Sequence, residues 1–196
     1  MPLSEAEGAI AAHSVRIEGV VVRKGTLLGR QEIEALQAVG LSTIVAARAE
    51  PGDLPEDAAA ARLAAEVAGA HVRVEAPFTG RANLFATVAG VVEVDPSGID
   101  AFNGVDEAIT LATLPALKAV AKGELVGTVK IIPFAVPEAL VTQAAAAGAR
   151  LNVAPFKRSR VAVISTRLPG LAEKVIDKTL AVTRARLAPA GAEVVA

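Results

Sequence analysis

The spacing of apolar side chains over the first 50 residues predicts a small strand–helix–strand unit. Apolar and polar positions alternate through residues 15–22, which is typical of a strand with one buried face. Residues 31–39 carry apolar side chains at helical spacing, and Gly40 is suited to end that helix. The short apolar run at residues 43–47 predicts the second strand.

Alanine-rich segments in the middle of the chain predict three further helices. The first is expected over residues 55–68, with Asp53 as its N-cap. Ser97 is expected to cap a short second helix. Pro137 is well placed at the first position of the third, because proline is favoured where a backbone donor is not needed.

Short apolar runs between these helices predict strands, so the fold class is expected to be α/β with a mixed sheet. Residues 84–94 are interpreted as a short helix that enters a strand at Gly90, and residues 77–83 as a loop. The remaining strands are expected at residues 72–75, 109–114 and 125–132.

The C-terminal segment predicts one βαβ unit. Residues 161–165 form an uninterrupted apolar run of the kind found in buried parallel strands, and a long helix is expected over residues 169–187. A second strand begins at residue 194. Two parallel strands leave open edges, so we expect this unit to pack on the preceding domain or on a second chain. The predicted domains are residues 1–155 and 156–196.

The amino-acid composition argues against several classes of protein. Hydrophobic residues make up 53% of the 196 residues, which favours a folded domain, and there is no cysteine to form disulfides or thiolate metal sites. The two histidines are far apart in sequence, so no metal site is expected. The chain starts without a signal-peptide pattern and contains no membrane-length apolar run. We therefore expect a cytoplasmic protein that does not contact membranes.

Charge is unevenly distributed along the chain. Residues 157–186 hold eight basic and two acidic side chains, a net charge of +6, which leaves −7 for the remainder. Such a segment attracts phosphorylated ligands or forms a solvated helix face. Nucleic acid is not expected as a partner, because Phe156 at the edge of this segment is its only aromatic residue.

Residues 160–195 resemble the opening of the molybdopterin-binding domain found in molybdenum insertases, a three-layer α/β domain. Family members begin with a strand close to the Val-Ala-Val-Ile-Ser-Thr of residues 161–166. A helix with an Asp-Ser-Asn-like triplet follows, here Asp-Lys-Thr at residues 177–179. The next strand contains Gly-Ala-Glu-Val, as residues 191–194 do.

The preceding part resembles bacterial molybdopterin-binding proteins related to molybdopterin molybdenumtransferase, some of which are fused to a nucleotidyltransferase. The resemblance covers nearly the whole chain. Its most specific parts are the Thr-Gly-Arg at residues 79–81 and the Val-Lys-Ile-Ile-Pro-Phe at residues 129–134. The other matching stretches are residues 13–16, 24–25, 50–53, 82–84 and 106–111.

The resemblance and the chain's chemistry single out two groups of ligand-binding candidates. Ser165, Thr166 and Arg167 follow a predicted strand and precede a predicted helix, a position that suits a phosphate but also an ordinary connection. Asp177 and Thr179 match the family triplet, although an aspartate beside a lysine on a helix is also typical of a solvated pair.

Two further candidates lie earlier in the chain. Arg81 follows a permissive glycine and carries a guanidinium suited to phosphate, or it stabilises a turn. Lys130 interrupts an apolar strand, where it either pairs with Asp106 or Glu107 or contacts a ligand. No Ser-His-Asp or paired-carboxylate arrangement is visible, so no catalytic residue is assigned.

The resemblance implies a role in molybdenum-cofactor biosynthesis, with molybdopterin or its adenylated form as ligand and a homodimer as the assembly. The alternative is a non-enzymatic dimerisation or delivery scaffold for a molybdoenzyme or a fused nucleotidyltransferase. The family's Gly-Asp-Glu is replaced here by Arg-Leu-Pro at residues 167–169, and its glycine-rich loop would lie beyond residue 196. We expect a piece of a longer protein or a truncated relative.

The replaced Gly-Asp-Glu and the glycine-rich loop expected beyond residue 196 determine which activity we expect. Transferase-like activity, with Mg²⁺ and molybdate, is expected only of a complete protein. We expect these 196 residues to bind molybdopterin weakly or not at all and to insert no molybdate, because a pterin pocket needs several walls and convergent polar groups.

Overall fold

The chain folds as an α/β protein with several small sheets, which confirms the α/β class. The mixed sheet expected in residues 1–155 is wrong, because the strand ladders there are antiparallel and belong to separate sheets. A computed structural model describes residues 1–195. The N-terminal part contains the strands β1 (Ile10–Ala11), β2 (Val15–Ile17) and β3 (Val20–Val22), the helix α1 (Arg30–Ala38) and the strand β4 (Ala46–Ala47).

The N-terminal part differs from the sequence prediction at two points, one of which is that strand β1 was not predicted. The single strand predicted over residues 15–22 is wrong, because Glu18 and Gly19 have φ angles of 48° and 86° and turn the chain back, so that β2 and β3 form a hairpin. Helix α1 matches the prediction, and Gly40 follows it with φ 82°. Strands β1 and β4 pair antiparallel.

The central part builds two larger antiparallel sheets. One has the strand order β6-β7-β11-β9, and the other has the order β10-β8-β13. Helix α2 packs on β7, β11 and α4, and a short pair joins β5 to β12. The elements are β5 (Asp53–Pro55), α2 (Glu56–Val67), β6 (Val72–Val74), β7 (Arg81–Ala86), β8 (Gly90–Val94), α3 (Pro96–Asn103), β9 (Ile109–Thr113), β10 (Ala119–Val120), β11 (Leu125–Ile131), β12 (Ala135–Pro137), α4 (Glu138–Ala146) and β13 (Leu151–Pro155).

Three local predictions in this part are corrected by the structure. The helix expected near residue 84 is strand β7, because its backbone pairs with β6 and β11 and every second side chain is buried on one face of the sheet. Asp53 does not cap α2 but pairs with Pro137 in the β5–β12 ladder. Helix α3 is capped by Asp95, whose carboxylate accepts the Ser97 N–H at 3.1 Å.

The free edge of β9 is capped at Leu111 by a side chain. The Asn103 side-chain amide donates to the Leu111 carbonyl oxygen at 3.0 Å and accepts the Leu111 N–H at 2.7 Å. The amide thus satisfies two backbone groups as a neighbouring strand would. This arrangement covers an edge that could otherwise pair with another chain.

The buried side chains form two separate cores. Eight residues between Leu3 and Ile44 pack together in the first core. The second gathers 22 buried residues between Ala59 and Val153, including Phe102. We refer to residues 1–48 as the N-terminal unit and to residues 53–155 as the central unit. The domain boundary expected near residue 155 stays a prediction.

The C-terminal segment contains β14 (Arg160–Val161), α5 (Glu173–Leu187) and β15 (Glu193–Val194). Strands β14 and β15 pair in parallel around α5, as the βαβ pattern predicts. The buried strand expected over residues 161–165 is wrong, because only its first residue lies in a strand and Ile164 is 95% exposed. Without further paired strands, the apolar run has nothing to cover it. No residue of α5 is buried.

Candidate functional site

A polar cleft of about 490 Å³ lies where the N-terminal unit meets the central unit. This volume falls within the range typical of small-molecule sites, about 300–1,000 Å³. Four other depressions on the surface are smaller, at about 200–250 Å³. The cleft is lined by Ala12, His13, Lys24 and Gly25 from the N-terminal unit and by Glu56, Thr79, Lys130, Ile132 and Phe134 from the central unit.

One wall is a tight hairpin turn over residues 78–81. Thr79 and Gly80 both have positive φ angles, 50° and 69°, as a two-residue hairpin turn of the primed type requires. Phe78 and Arg81 exchange backbone hydrogen bonds across it, at 2.9 and 3.2 Å. The segment predicted as a loop is therefore a defined reversal that leads into β7.

Gly80 is enclosed by groups of the cleft. A Cβ atom built there would lie 2.7 Å from the Ile131 carbonyl oxygen and 2.5 Å from Glu56 Oε2. The Gly80 N–H also donates to Asp57 Oδ1 at 2.7 Å. These contacts hold the turn against the end of β11 and the start of α2, so the position of the turn and that of Glu56 are linked.

Lys130 lies on β11, opposite Arg81 in the β11–β7 register. Its ammonium group donates to the Thr79 carbonyl oxygen at 2.7 Å. The internal pair with Asp106 or Glu107 is wrong, because across residues 1–195 the single ion pair joins Arg62 to Glu138. The ammonium group has three donors, so two remain for a ligand in the cleft.

Lys24 reaches the cleft from the other unit. Its Nζ lies 5.5 Å from the centroid of the Phe134 ring, within the range of a cation–π interaction. Its backbone N–H donates to Ser14 Oγ at 3.0 Å, which anchors the turn that carries it. A cation and an aromatic ring from different units thus face each other across the cleft.

Glu56 is the first residue of α2 and brings a carboxylate into the same lining as the two lysines. Partial burial raises the pKa of this carboxyl above the usual 4.5, and the Asp57 charge adds to the rise, whereas Lys130 and Lys24 oppose it. The cleft therefore presents two ammonium groups and one carboxylate that is costly to keep ionised.

The raised pKa of Glu56 predicts a pH dependence of stability. A carboxyl that binds its proton more tightly in the folded state loses stability as the pH rises from 4.5 through the raised pKa. Glu56→Gln removes this loss. We therefore expect the free energy of unfolding of the variant to increase relative to that of the wild type as the pH rises from 4.5 to neutrality. Urea unfolding followed by circular dichroism at several pH values measures the difference.

The control for this prediction is Glu66→Gln, which changes an exposed glutamate on the same helix. We expect its stability to follow the wild-type pH profile. Parallel profiles for Glu56→Gln and the wild type would contradict the assignment.

Most ligand-binding residues predicted from the sequence lie elsewhere. Ser165, Thr166 and Arg167 are exposed in an irregular segment, and the helix expected directly after them begins only at Glu173. Asp177 and Thr179 are exposed on α5. The Thr179 hydroxyl donates to the Val175 carbonyl oxygen at 2.9 Å. These five residues do not line the cleft, and their role as ligand contacts stays a prediction.

Only Lys130 and its neighbour Arg81 lie at or beside the cleft. Of the nine lining residues, only Lys130 was among the predicted site residues, and four of those missed carry a charged, imidazole or aromatic side chain: His13, Lys24, Glu56 and Phe134. A signal existed for three of them, since residues 13–16, 24–25 and 129–134 carry the family resemblance. Within residues 1–195, no cluster of three or more His, Cys, Asp or Glu side chains could hold a metal ion.

Comparison with known proteins yields one match, to the N-terminal unit. Residues 1–48 match the sequence model of a family described as a domain of unknown function, DUF8806. No curated protein and no solved structure matches the chain. No helix within residues 1–195 is long and apolar enough to cross a membrane. The matched segment covers about a quarter of the chain and coincides with the unit that has its own core.

Proposed function

We propose that this protein acts in molybdenum-cofactor biosynthesis and binds molybdopterin in the cleft between the two units. One observation supports this proposal: residues from separate parts of the chain line the same cleft. Stretches that resemble the molybdopterin-binding family contribute His13, Lys24, Thr79, Lys130 and Phe134 to one cleft. The outermost of these residues are roughly 120 positions apart in the chain.

The chemistry of the lining suits such a ligand. Molybdopterin combines a flat, polar pterin ring with a phosphate group. Lys24 and Lys130 supply cations for the phosphate, and the Phe134 ring supplies an apolar surface. His13 and the Glu56 carboxylate are positioned in the same lining as hydrogen-bonding partners for ring nitrogens.

The openness of the cleft sets the expected strength of binding. Lys24 and His13 are exposed, and solvent reaches the lining from outside. A micromolar dissociation constant requires about 8 kcal/mol. An ion pair of exposed Lys24 contributes at most about 1 kcal/mol, and a charge-assisted hydrogen bond of half-buried Lys130 contributes about 1.5–3 kcal/mol. We therefore propose weak binding, no tighter than micromolar, and no molybdate insertion by these residues alone.

The proposal predicts that Lys130→Met weakens molybdopterin binding by about tenfold or more, since a hydrogen bond to a charged group is worth about 1.5–3 kcal/mol. Anaerobic calorimetric titration of the full chain with purified molybdopterin measures this loss. Lys122→Met is the matched control, because Lys122 is an exposed lysine in a turn that does not line the cleft.

Arg167→Ala separates the cleft from the site predicted at residues 165–167. We expect this variant to bind like the wild type. Undiminished binding by Lys130→Met together with a loss in Arg167→Ala would place the ligand on the C-terminal segment instead. Equal unfolding midpoints of the variants would exclude misfolding as the cause.

A scaffold function is the second candidate, and the exposure of the C-terminal segment favours it. Helix α5 has no buried residue, and its Val175 and Val182 are 45% and 41% exposed. The +6 charge of residues 157–186 complements the −7 of the remainder. We propose that this segment joins two copies in a homodimer. Sedimentation velocity over a range of concentrations and salt would reveal such a dimer, and a monomer throughout would exclude it.

A further inference from the structure

We propose that the cleft is a phosphate-monoester site shared between the two units. One phosphate binds Lys24 and Lys130 at the same time and thereby links the N-terminal unit to the central unit. This inference rests on the proposed function and specifies which part of the ligand the cleft recognises. It also assigns the cleft a mechanical role, because the bound ligand becomes part of the contact between the units.

Few directional contacts connect the two units. Each has its own hydrophobic core, and residues 49–52 between them are exposed. Throughout residues 1–195, no hydrogen bond or ion pair links residues 1–48 to residues 53–155. The specific polar contact across the boundary is that of Lys24 with the Phe134 ring. The boundary therefore lacks the directional contacts that hold each unit together internally.

The two lysines offer what a phosphate needs. Lys130 uses one of its three donors on the Thr79 carbonyl oxygen, which fixes its ammonium group at the hairpin turn. Lys24 projects into the same cleft from the opposite unit. A phosphate monoester has three terminal oxygens, so it can accept from both ammonium groups at once and replace the missing directional contact.

Glu56 opposes this anion. Its carboxylate lies in the same lining, and the charged or titratable groups around it are His13, Lys24, Asp57 and Lys130. Asp57 already accepts the Gly80 N–H. A phosphate that enters between the lysines meets the Glu56 charge, so neutralising Glu56 strengthens binding, whereas removing either lysine weakens it.

The first experiment titrates the full chain with glycerol 3-phosphate and follows the amide signals of Gly25 and Gly80 by NMR. We expect Lys24→Met to weaken binding about fivefold, as befits an exposed charge pair, and Lys130→Met about tenfold. Glu56→Gln should tighten binding about fivefold. Lys122→Met serves as the control and should leave the affinity unchanged.

The second experiment measures the bridging itself. Glycerol 3-phosphate should slow amide hydrogen exchange in the exposed linker 49–52 of the wild type and have no such effect in Lys24→Met. Unchanged affinity in Lys24→Met, or linker exchange that the ester does not alter, would overturn the bridge. Lys24 is exposed, so its replacement leaves both cores intact.

Failure of this inference is distinguishable from failure of the proposed function. If molybdopterin binding depends on Lys130 but the affinity for glycerol 3-phosphate is unchanged in Lys24→Met, only the bridge is wrong. If the simple ester bridges the units and molybdopterin does not bind, the bridge stands and the pterin is the wrong ligand.

Discussion

Replacing Phe102 with alanine is expected to lower the free energy of unfolding by about 3–5 kcal/mol, the usual cost of deleting a buried phenylalanine. Phe102 is 1% exposed and belongs to the larger core, where every other buried member is alanine, valine, leucine or isoleucine. Small neighbours cannot expand into the space, so the cavity would persist. A typical domain is stable by only about 5–15 kcal/mol, so this one change removes a large share.

Urea unfolding monitored by far-ultraviolet circular dichroism measures this loss, since the chain has no tryptophan or tyrosine for fluorescence. Phe78→Ala is the matched control. Phe78 is 76% exposed beside the hairpin turn, so we expect its replacement to change stability by no more than about 0.5 kcal/mol. Similar losses in the two variants would show that Phe102 does not organise the core.

Gly90→Ala is expected to destabilise the protein by about 3 kcal/mol through overpacking. Gly90 begins β8, which pairs with β10 on one side and β13 on the other. A Cβ atom there would overlap the Ala154 carbonyl oxygen and lie 2.8 Å from the Ala154 carbonyl carbon. Backbone cannot move aside as a side chain can, so β13 would separate from β8.

Gly98→Ala provides the contrasting control for this prediction. Gly98 is also buried, but it lies in α3, and the nearest atoms to an added Cβ are 3.4 Å away. Alanine favours a helix over glycine by about 0.5–1 kcal/mol, so we expect this variant to be as stable as the wild type or slightly more so. Equal destabilisation of the two variants, measured by urea unfolding, would contradict the close approach at Gly90.

The proposed site gives the N-terminal unit a role in function. Its core is small, and it contributes Lys24 and His13 to a cleft that neither unit forms alone. Clefts between domains are common ligand sites because two separately stable bodies can approach a ligand from opposite sides. The pH profile of Glu56→Gln tests the electrostatics of this cleft without any ligand.

The sequence by itself determined the helices and several of the strands. Helices α1, α2 and α4 lie close to where apolar spacing, alanine-rich segments and helix-end residues placed them, because helical hydrogen bonds join residues four apart and leave a local pattern. Strands β9 and β11 were also predicted, since their alternating apolar residues face one core. The mixed α/β class follows from this alternation of elements.

Tertiary structure decided the features that depend on distant partners. Strand β13 was not predicted, and it forms by pairing with β8, about 60 residues earlier in the chain. The apolar residues 161–165 look like a buried strand, yet Ile164 is exposed because no neighbouring strands cover it. The cleft joins Lys24 to Lys130 and Phe134. A local sequence pattern indicates which secondary structure a segment favours. Strand pairing and site assembly depend instead on residues far along the chain, which only the folded structure brings together.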